Sequence, residues 1–243
     1  MTEPRVKKVK PQPQMAKIVK YVKETRDTCT LRLLLEKPFV WRPGQFIMIR
    51  ALIDGESVRR AYSVSSSPTK DYLEVTIRQT EEPTMSKYLN DRKEGDELEV
   101  KGPYGRFIWT PDVSTKLVCL GAGSGITPFR AFFEYIIDNE LENDMKLLYS
   151  CGYGDNVIFK DELENLVAKT KNGSYELSIT RDPMELNSIR KGRINSVYLQ
   201  QEIKGYEKAN FYICGAPGFV KHMIAALQEV GVARNQIKRE QWG

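Results

Sequence analysis

The segment LVCLGAGSGITPFRAFFEYII, residues 117 to 137, narrows the choice of fold more than any other part of the chain. An apolar run from Leu117 to Leu120 meets Gly121, Gly123 and Gly125, and a helical pattern opens at Pro128. Strand, glycine turn and helix in that order is how a dinucleotide diphosphate is commonly held, because the glycines let the backbone come close and the helix start offers free N–H groups to an anion. After Thr110-Pro111 the same rhythm continues. KLVCL, KLLYSCG, YELSIT and NFYICG read as strands, and they alternate with helices at Pro128 to Glu140, IFKDELENLVAKT, NSVYLQQEI and from Phe219 onward. Alternation of this kind predicts a parallel sheet with right-handed crossovers. Its ligands would sit beyond the carboxyl ends of the strands, where GAGSG, SCGYG, TRDP and CGAPG all fall.

The first half obeys another rule. AKIVKYVKET, TCTLRLLLE, GQFIMIRAL, AYSVSSS, YLEVTIRQ and DELEVKG are short and strand-like, with breaks at Lys37-Pro38, Arg42-Pro43-Gly44, Asp54-Gly55, Ser67-Pro68 and Gly102-Pro103. They predict a six-stranded antiparallel β-barrel ahead of the α/β parallel-sheet domain. One helix, Ser86 to Arg92, interrupts the strands; Thr84 or Ser86 would cap it, and its start would present N–H groups to a phosphate. The expected organisation is a flexible basic tail over 1–14, the barrel over 15–111 and the α/β domain over 112–243. Within RAYSVSSSP, residues 60 to 68, Arg60 and Tyr62 alternate with Ala61 and Ser63, so one pair faces a pocket and the other faces away. That pairing suits a flat aromatic ligand with an anionic tail.

Composition removes several alternatives. With 41% apolar and 28% charged residues among 243, the chain reads as an ordinary globular protein. The longest stretch without a charge, Leu117 to Phe129, is too short and too rich in glycine to span a bilayer. MTEPRVKKVKPQPQ lacks the apolar centre of a secretory signal, and a cytoplasmic location without membrane insertion is expected. The cysteines at 29, 119, 151 and 214 form no cluster-binding run, so no metal is expected. The sole histidine, His222, lies in an amphipathic helical pattern without partners and reads as solvent-facing, which leaves histidine-based hydrolase and zinc chemistry without support. No basic stripe with interleaved aromatics points to nucleic acid.

RAYS, together with PTMSKYLNDRKEGDELEVKGPYGRF, resembles the ferredoxin-NADP reductase superfamily, whose flavin domain carries Arg-x-Tyr-Ser/Thr, Gly-x-x-Ser and Gly-Pro-x-Gly-x-Phe. The resemblance extends to GAGSGITP and to CGAPGFVKHM, which matches the family's Cys-Gly-x-Pro segment, and covers residues 15 to 243. It implies FAD on the barrel. Arg60 would pair with the flavin diphosphate, Tyr62 would pack on the flavin ring beside Ala61, and the Ser63 hydroxyl would lie near flavin N5. Thr84, Met85 and Ser86 would supply further donors to the diphosphate, with Arg78 reaching the same group. Pro83 stands where the family has glycine, and proline has no N–H to offer.

On the nucleotide side, Gly121, Gly123 and Gly125 would cradle the diphosphate, with Thr127 and Pro128 against flavin and nicotinamide. Cys214, otherwise a plain strand-end cysteine, would lie near nicotinamide C4, flanked by Gly215 and Pro217. Thr180-Arg181 and Arg193 resemble grips for a 2′-phosphate, whereas Gly152 stands where some relatives carry a third arginine. NADP(H) is therefore expected over NAD(H). Glu240 resembles a carboxylate near the flavin, and Trp242 an aromatic that stacks on either flavin or adenine. Ser63, Cys214 and Glu240 are the expected catalytic side chains.

The same resemblance implies hydride transfer between NAD(P)H and FAD, with single electrons passing to or from a separate protein carrier. The net charge of +5 favours an acidic carrier, ferredoxin or flavodoxin. A reductase of free flavins, quinones or ferric iron, and a non-catalytic electron-transfer subunit of a larger complex, remain as alternatives. Oligomeric state is left open.

Overall fold

A computed structural model describes residues 11–80, 84–182 and 189–242. The elements in chain order are β1 (Gln14–Thr25), β2 (Thr28–Leu35), β3 (Phe46–Ile53), β4 (Glu56–Ser63), β5 (Leu73–Arg78), α1 (Thr84–Asn90), β6 (Glu97–Tyr104), β7 (Lys116–Ala122), α2 (Thr127–Asp138), β8 (Asp144–Cys151), α3 (Lys160–Lys169), β9 (Asn172–Ile179), β10 (Arg190–Lys191), α4 (Ser196–Glu202), β11 (Asn210–Gly215), α5 (Pro217–Glu229) and β12 (Ile237–Gln241). Residues 1–10 of the expected tail, and Pro83, lie outside the described residues.

The first six strands form one antiparallel sheet in the order β4-β3-β6-β1-β2-β5. It closes on itself just past β4, where Val64 bridges Val75 and the Ser65 N–H donates to the Glu74 carbonyl at 2.8 Å. Alternation fills the interior: Ile47, Ile49 and Ala51 of β3 point inward with Ile18, Leu31, Leu33, Val75 and Val100, while their neighbours face out. The β3–β4 hairpin turns through Asp54 and Gly55, both at positive φ, the backbone that a tight two-residue turn demands. Because that turn fixes the register, β4 begins at Glu56, five residues before the strand read from the sequence at Ala61.

The second sheet is wholly parallel, ordered β10-β9-β8-β7-β11-β12. Helices α2 and α3 cover one face, where Phe129, Phe132, Phe133 and Leu163 meet Leu117, Cys119, Leu147 and Tyr149. Helices α4 and α5 cover the other, where Leu199, Val220, Met223 and Leu227 meet Val118, Leu120, Leu148 and Ile213. Burial on both faces explains why β7 and β11 read as unbroken apolar runs. The chain order reverses direction between β7 and β11, which makes the gap between their carboxyl ends the switch point at which ligands bind in such sheets. The strand β12, which comes after α5, extends the sheet beyond β11, so Arg239 to Gln241 are laddered and not frayed.

Several contacts join the halves, two of them deeply buried. Phe107 and Trp109, just after β6, sink into the second core against Phe132 and Tyr212 or Tyr135. Across the interface, Arg130 of α2 bonds Glu74 of β5 at 2.7 Å, with both side chains under a tenth exposed.

Candidate active site

The glycine turn after β7 lies directly on the end of β11. A Cβ added at Gly125 would stand 2.1 Å from the Cys214 carbonyl oxygen, so this close approach admits only glycine. Gly123 takes φ +53°, and its carbonyl accepts from the Tyr149 hydroxyl at 3.1 Å. Gly121, Gly125, Thr127, Pro128 and Cys214 are buried and form the wall behind the site, and the Thr127 hydroxyl donates to the Ser124 carbonyl. Ala122, Gly123 and Gly215 reach its surface.

In front of that wall is a groove of about 610 Å³. It draws Cys151 and Gly152 from the end of β8, Thr180 and Arg181 from just past β9, Arg193 from the loop after β10, and Phe219 and His222 from the first half of α5. Thr180 is set by its own N–H and hydroxyl, which both donate to the Cys151 carbonyl, and the Arg181 N–H donates to that of Gly152 at 2.8 Å. Arg78 enters from the barrel: its Nη1 would lie 3.1 Å from a Cβ on Gly123, while its Nε is paired with Asp27 at 3.0 Å. Arg181 and Arg193 are exposed and have no ion pair among the described residues. Three guanidinium groups facing one cleft fit a ligand with several phosphate charges. Exposed Pro217 opens α5 at the rim.

The expected catalytic trio comes together. The Ser63 hydroxyl, at the end of β4, lies 3.3 Å from a Glu240 carboxylate oxygen, and Glu240 is in register with Cys214 across the parallel β11–β12 pair. Burial pushes the Glu240 carboxyl up to about 7, partly offset by the bond from Ser63. Burial likewise pushes the Cys214 thiol well above its ordinary range, with the Glu240 charge adding to the shift, so it stays a thiol. The trio thus offers a neutral sulfur, a hydroxyl and a carboxyl near the neutral point, in a partly dry corner.

On the barrel side, Ile49 opposes Arg60 and Ile47 opposes Tyr62. Tyr62 packs against the barrel core, and burial raises its phenol despite the nearby Arg60 charge. Arg60 is exposed, and among the described residues its guanidinium bonds the carbonyl of Arg59, at 2.9 Å. Helix α1 packs against β3, β4 and β5. Met85 fills the core and the Ser86 hydroxyl accepts from the Thr80 N–H, leaving the first amides and exposed Thr84 at the helix start. Trp242 lies edge-on to Phe46, centroids 5.8 Å apart, and lines the groove, and its backbone N–H donates to the Gly215 carbonyl at 3.3 Å. A cation with no carboxylate partner among the described residues, a half-buried tyrosine, a helix start and an aromatic pair fit an aromatic dinucleotide such as FAD.

His222 is exposed, as expected, but it also lines the groove, with Nε2 3.0 Å from the Ile194 carbonyl oxygen. Phe219 is not singled out in the sequence and His222 reads there as solvent-facing only; three residues apart in a helix opened by Pro217, they share the face that meets the cleft. Tyr153 and Asn156 also line it and left no signal in the sequence.

A barrel with an anion-ready strand and helix, set beside a parallel sheet with a dinucleotide groove, defines a two-cofactor oxidoreductase module. Residues 15–109 match the oxidoreductase FAD-binding domain and residues 119–224 the oxidoreductase NAD-binding domain. The chain belongs to the ferredoxin-NADP reductase superfamily. It is 29% identical over 234 residues to the glycine betaine monooxygenase reductase subunit of Pseudomonas aeruginosa, covering 94% of this chain and 64% of that one. It is 30% identical over 241 residues to the flavohemoprotein of Bacillus cereus, covering 93% and 60%. The chain therefore spans less than two thirds of the length of these relatives. The fold is that of the FAD/NAD-binding domain of nitric oxide dioxygenase from Vibrio cholerae (TM-score 0.85, 22% identity, 95% of this chain and 98% of that one). It is shared by a ferredoxin NADP+ reductase from Neisseria gonorrhoeae, solved with FAD and NADP (TM-score 0.79, 24% identity, 94% and 98%).

Proposed function

We propose that residues 15–111 hold FAD, that residues 112–243 hold a nicotinamide nucleotide, and that the chain passes a hydride from the second to the first before single electrons leave for a carrier protein. The observation that carries this reading is the contact of Ser63 from the barrel with Glu240 beside Cys214 from the sheet, because it brings the two half-sites to one point. A flavin bound there takes two electrons as hydride from dihydronicotinamide C4 and gives them up singly. The side chains contribute binding and orientation. Arg60, the α1 amides and Thr84 hold the flavin diphosphate, and Tyr62 supports the ring. Gly123 and the turn around it let the nucleotide diphosphate approach, with Arg78 overhanging it. Cys214 and Gly125 set the depth at which nicotinamide stops, and the Ser63 hydroxyl with Glu240 supplies a hydrogen-bonding partner near N5 that exchanges protons near neutral pH.

Arg181 and Arg193 favour NADPH, since a 2′-phosphate placed at the β9 end would meet two cations that have no ion pair among the described residues. The electron acceptor is a small acidic carrier such as ferredoxin or flavodoxin, because residues 1–243 contain no cluster-binding cysteine run and carry net charge +5. The monooxygenase reductase subunit among the relatives supports a second destination, an oxygenase fed through such a carrier.

The purified protein is expected to be yellow and to bleach anaerobically with NADPH faster than with NADH. Arg181→Ala should weaken NADPH by about tenfold or more, the scale of a charge-assisted hydrogen bond, and leave NADH nearly unchanged. A colourless protein that takes up no flavin on reconstitution would refute the reading, and equal loss for both nucleotides would refute the 2′-phosphate assignment.

A further inference from the structure

The strand that carries Arg60 and Tyr62 continues into Val64 to Lys70, and this segment lies along one face of α2, the helix that grows out of the glycine turn. Arg130, Glu134 and Asp138 succeed one another at intervals of four residues on that face. Arg130 Nη1 donates to the Ser65 carbonyl at 3.0 Å and to Glu74 Oε2 at 2.7 Å, while Nη2 reaches Glu134 at 3.3 Å and Glu162 at 2.8 Å. Glu134 Oε2 accepts the Ser67 N–H at 2.7 Å. Asp138 accepts from the Thr69 hydroxyl and pairs with Lys70 at 2.8 Å. Glu74 is held from its other side by Arg32 at 2.8 Å, and Phe159 closes over the Arg130 guanidinium with 4.9 Å between its ring centroid and Cζ.

A planar, five-donor group with all its directions engaged tolerates little displacement of what it holds. One end of this contact lies two residues past Ser63, and the other lies three residues past Thr127. The geometry points to Arg130 as a positioning residue that, with Glu134 and Asp138, fixes the spacing between the flavin strand and the nucleotide turn, and so the distance over which the hydride moves. This rests on the reductase reading given above. A misplacement of about 1 Å far from the chemistry can cost about a hundredfold in rate, so a loosened clamp should show first in the transfer step and not in the binding of either cofactor.

The experiment compares the wild-type protein with Arg130→Met and Arg130→Lys at a temperature well below unfolding. Arg130→Met should keep its flavin and its dissociation constant for NADPH. It should lose the long-wavelength charge-transfer absorption of the stacked rings and about tenfold or more of the limiting anaerobic bleaching rate. Arg130→Lys should recover part of both. Amide hydrogen exchange should accelerate together in residues 65–70 and 123–127. A lowered melting temperature with wild-type bleaching and charge-transfer absorption would reduce Arg130 to a purely structural role and overturn the proposal. If Arg130→Met does not fold, Asp138→Ala at the more open end of the same face is read by the same criteria. Should the wild-type protein bind no flavin, the reductase reading fails, and exchange still decides the clamp: independent opening of the two segments would sink it.

Discussion

Glu240 couples the state of one carboxyl to the pH response of the folded protein. Its folded value of about 7 lies above the ordinary 4.5, so between those values the folded state binds more protons than the unfolded one. The Glu240 contribution to stability is therefore greatest below about 4.5, falls as pH rises through the window, and carries the full cost of the buried charge above about 7. Glu240→Gln should flatten that slope and raise the denaturation midpoint at pH 8 relative to the wild-type protein, while leaving it nearly the same at pH 4.5. Urea midpoints for both proteins across this range test the point, and parallel curves would count against it. Arg-x-Tyr-Ser and the strand-end cysteine were legible because each is a local pattern. The Ser63–Glu240 bond was not, since its partners are separated by 177 positions and meet only when both sheets are in place.

Among the elements, the glycine turn and β12 show what local sequence does and does not reveal. The turn was evident from an apolar strand leading into three spaced glycines, and the contact of Gly125 with β11 explains why the third is there. Gly125→Ala should cost about 1–3 kcal/mol, the range for a small group forced into packed backbone, and should impair NADPH binding. Gly218→Ala, with no protein atom near the new methyl, should leave stability unchanged. Denaturation midpoints and nucleotide titrations on the two variants distinguish them. By contrast β12 reads IKREQ, a charged edge strand with a single aliphatic residue, and its pairing with β11 across the whole of α5 has no local signature. The early part of β4 was hidden in the same way, because Glu56, Ser57, Arg59 and Arg60 are all exposed.

For the molecule as a whole, the change from six barrel strands to alternating strands and helices was written in periodicity. The polar contact between the halves was not, because Glu74, Arg130 and Glu162 come from three separate elements and each taken alone resembles a surface charge. With that contact and the buried Phe107 and Trp109, the halves should unfold together: far-ultraviolet circular dichroism and tryptophan fluorescence should give one midpoint, since Trp41 reports on the first core and Trp109 on the second. Midpoints several degrees apart would show two independent units. The parallel strands turn their carboxyl ends and the proposed nucleotide groove to one rim, and on that reading the opposite rim, where Lys116 pairs with Asp144 and Asn172 opens β9, lies away from the cofactors. An appended domain or affinity tag inserted there should leave turnover intact, so that side of the protein is free to evolve or be engineered as an attachment point.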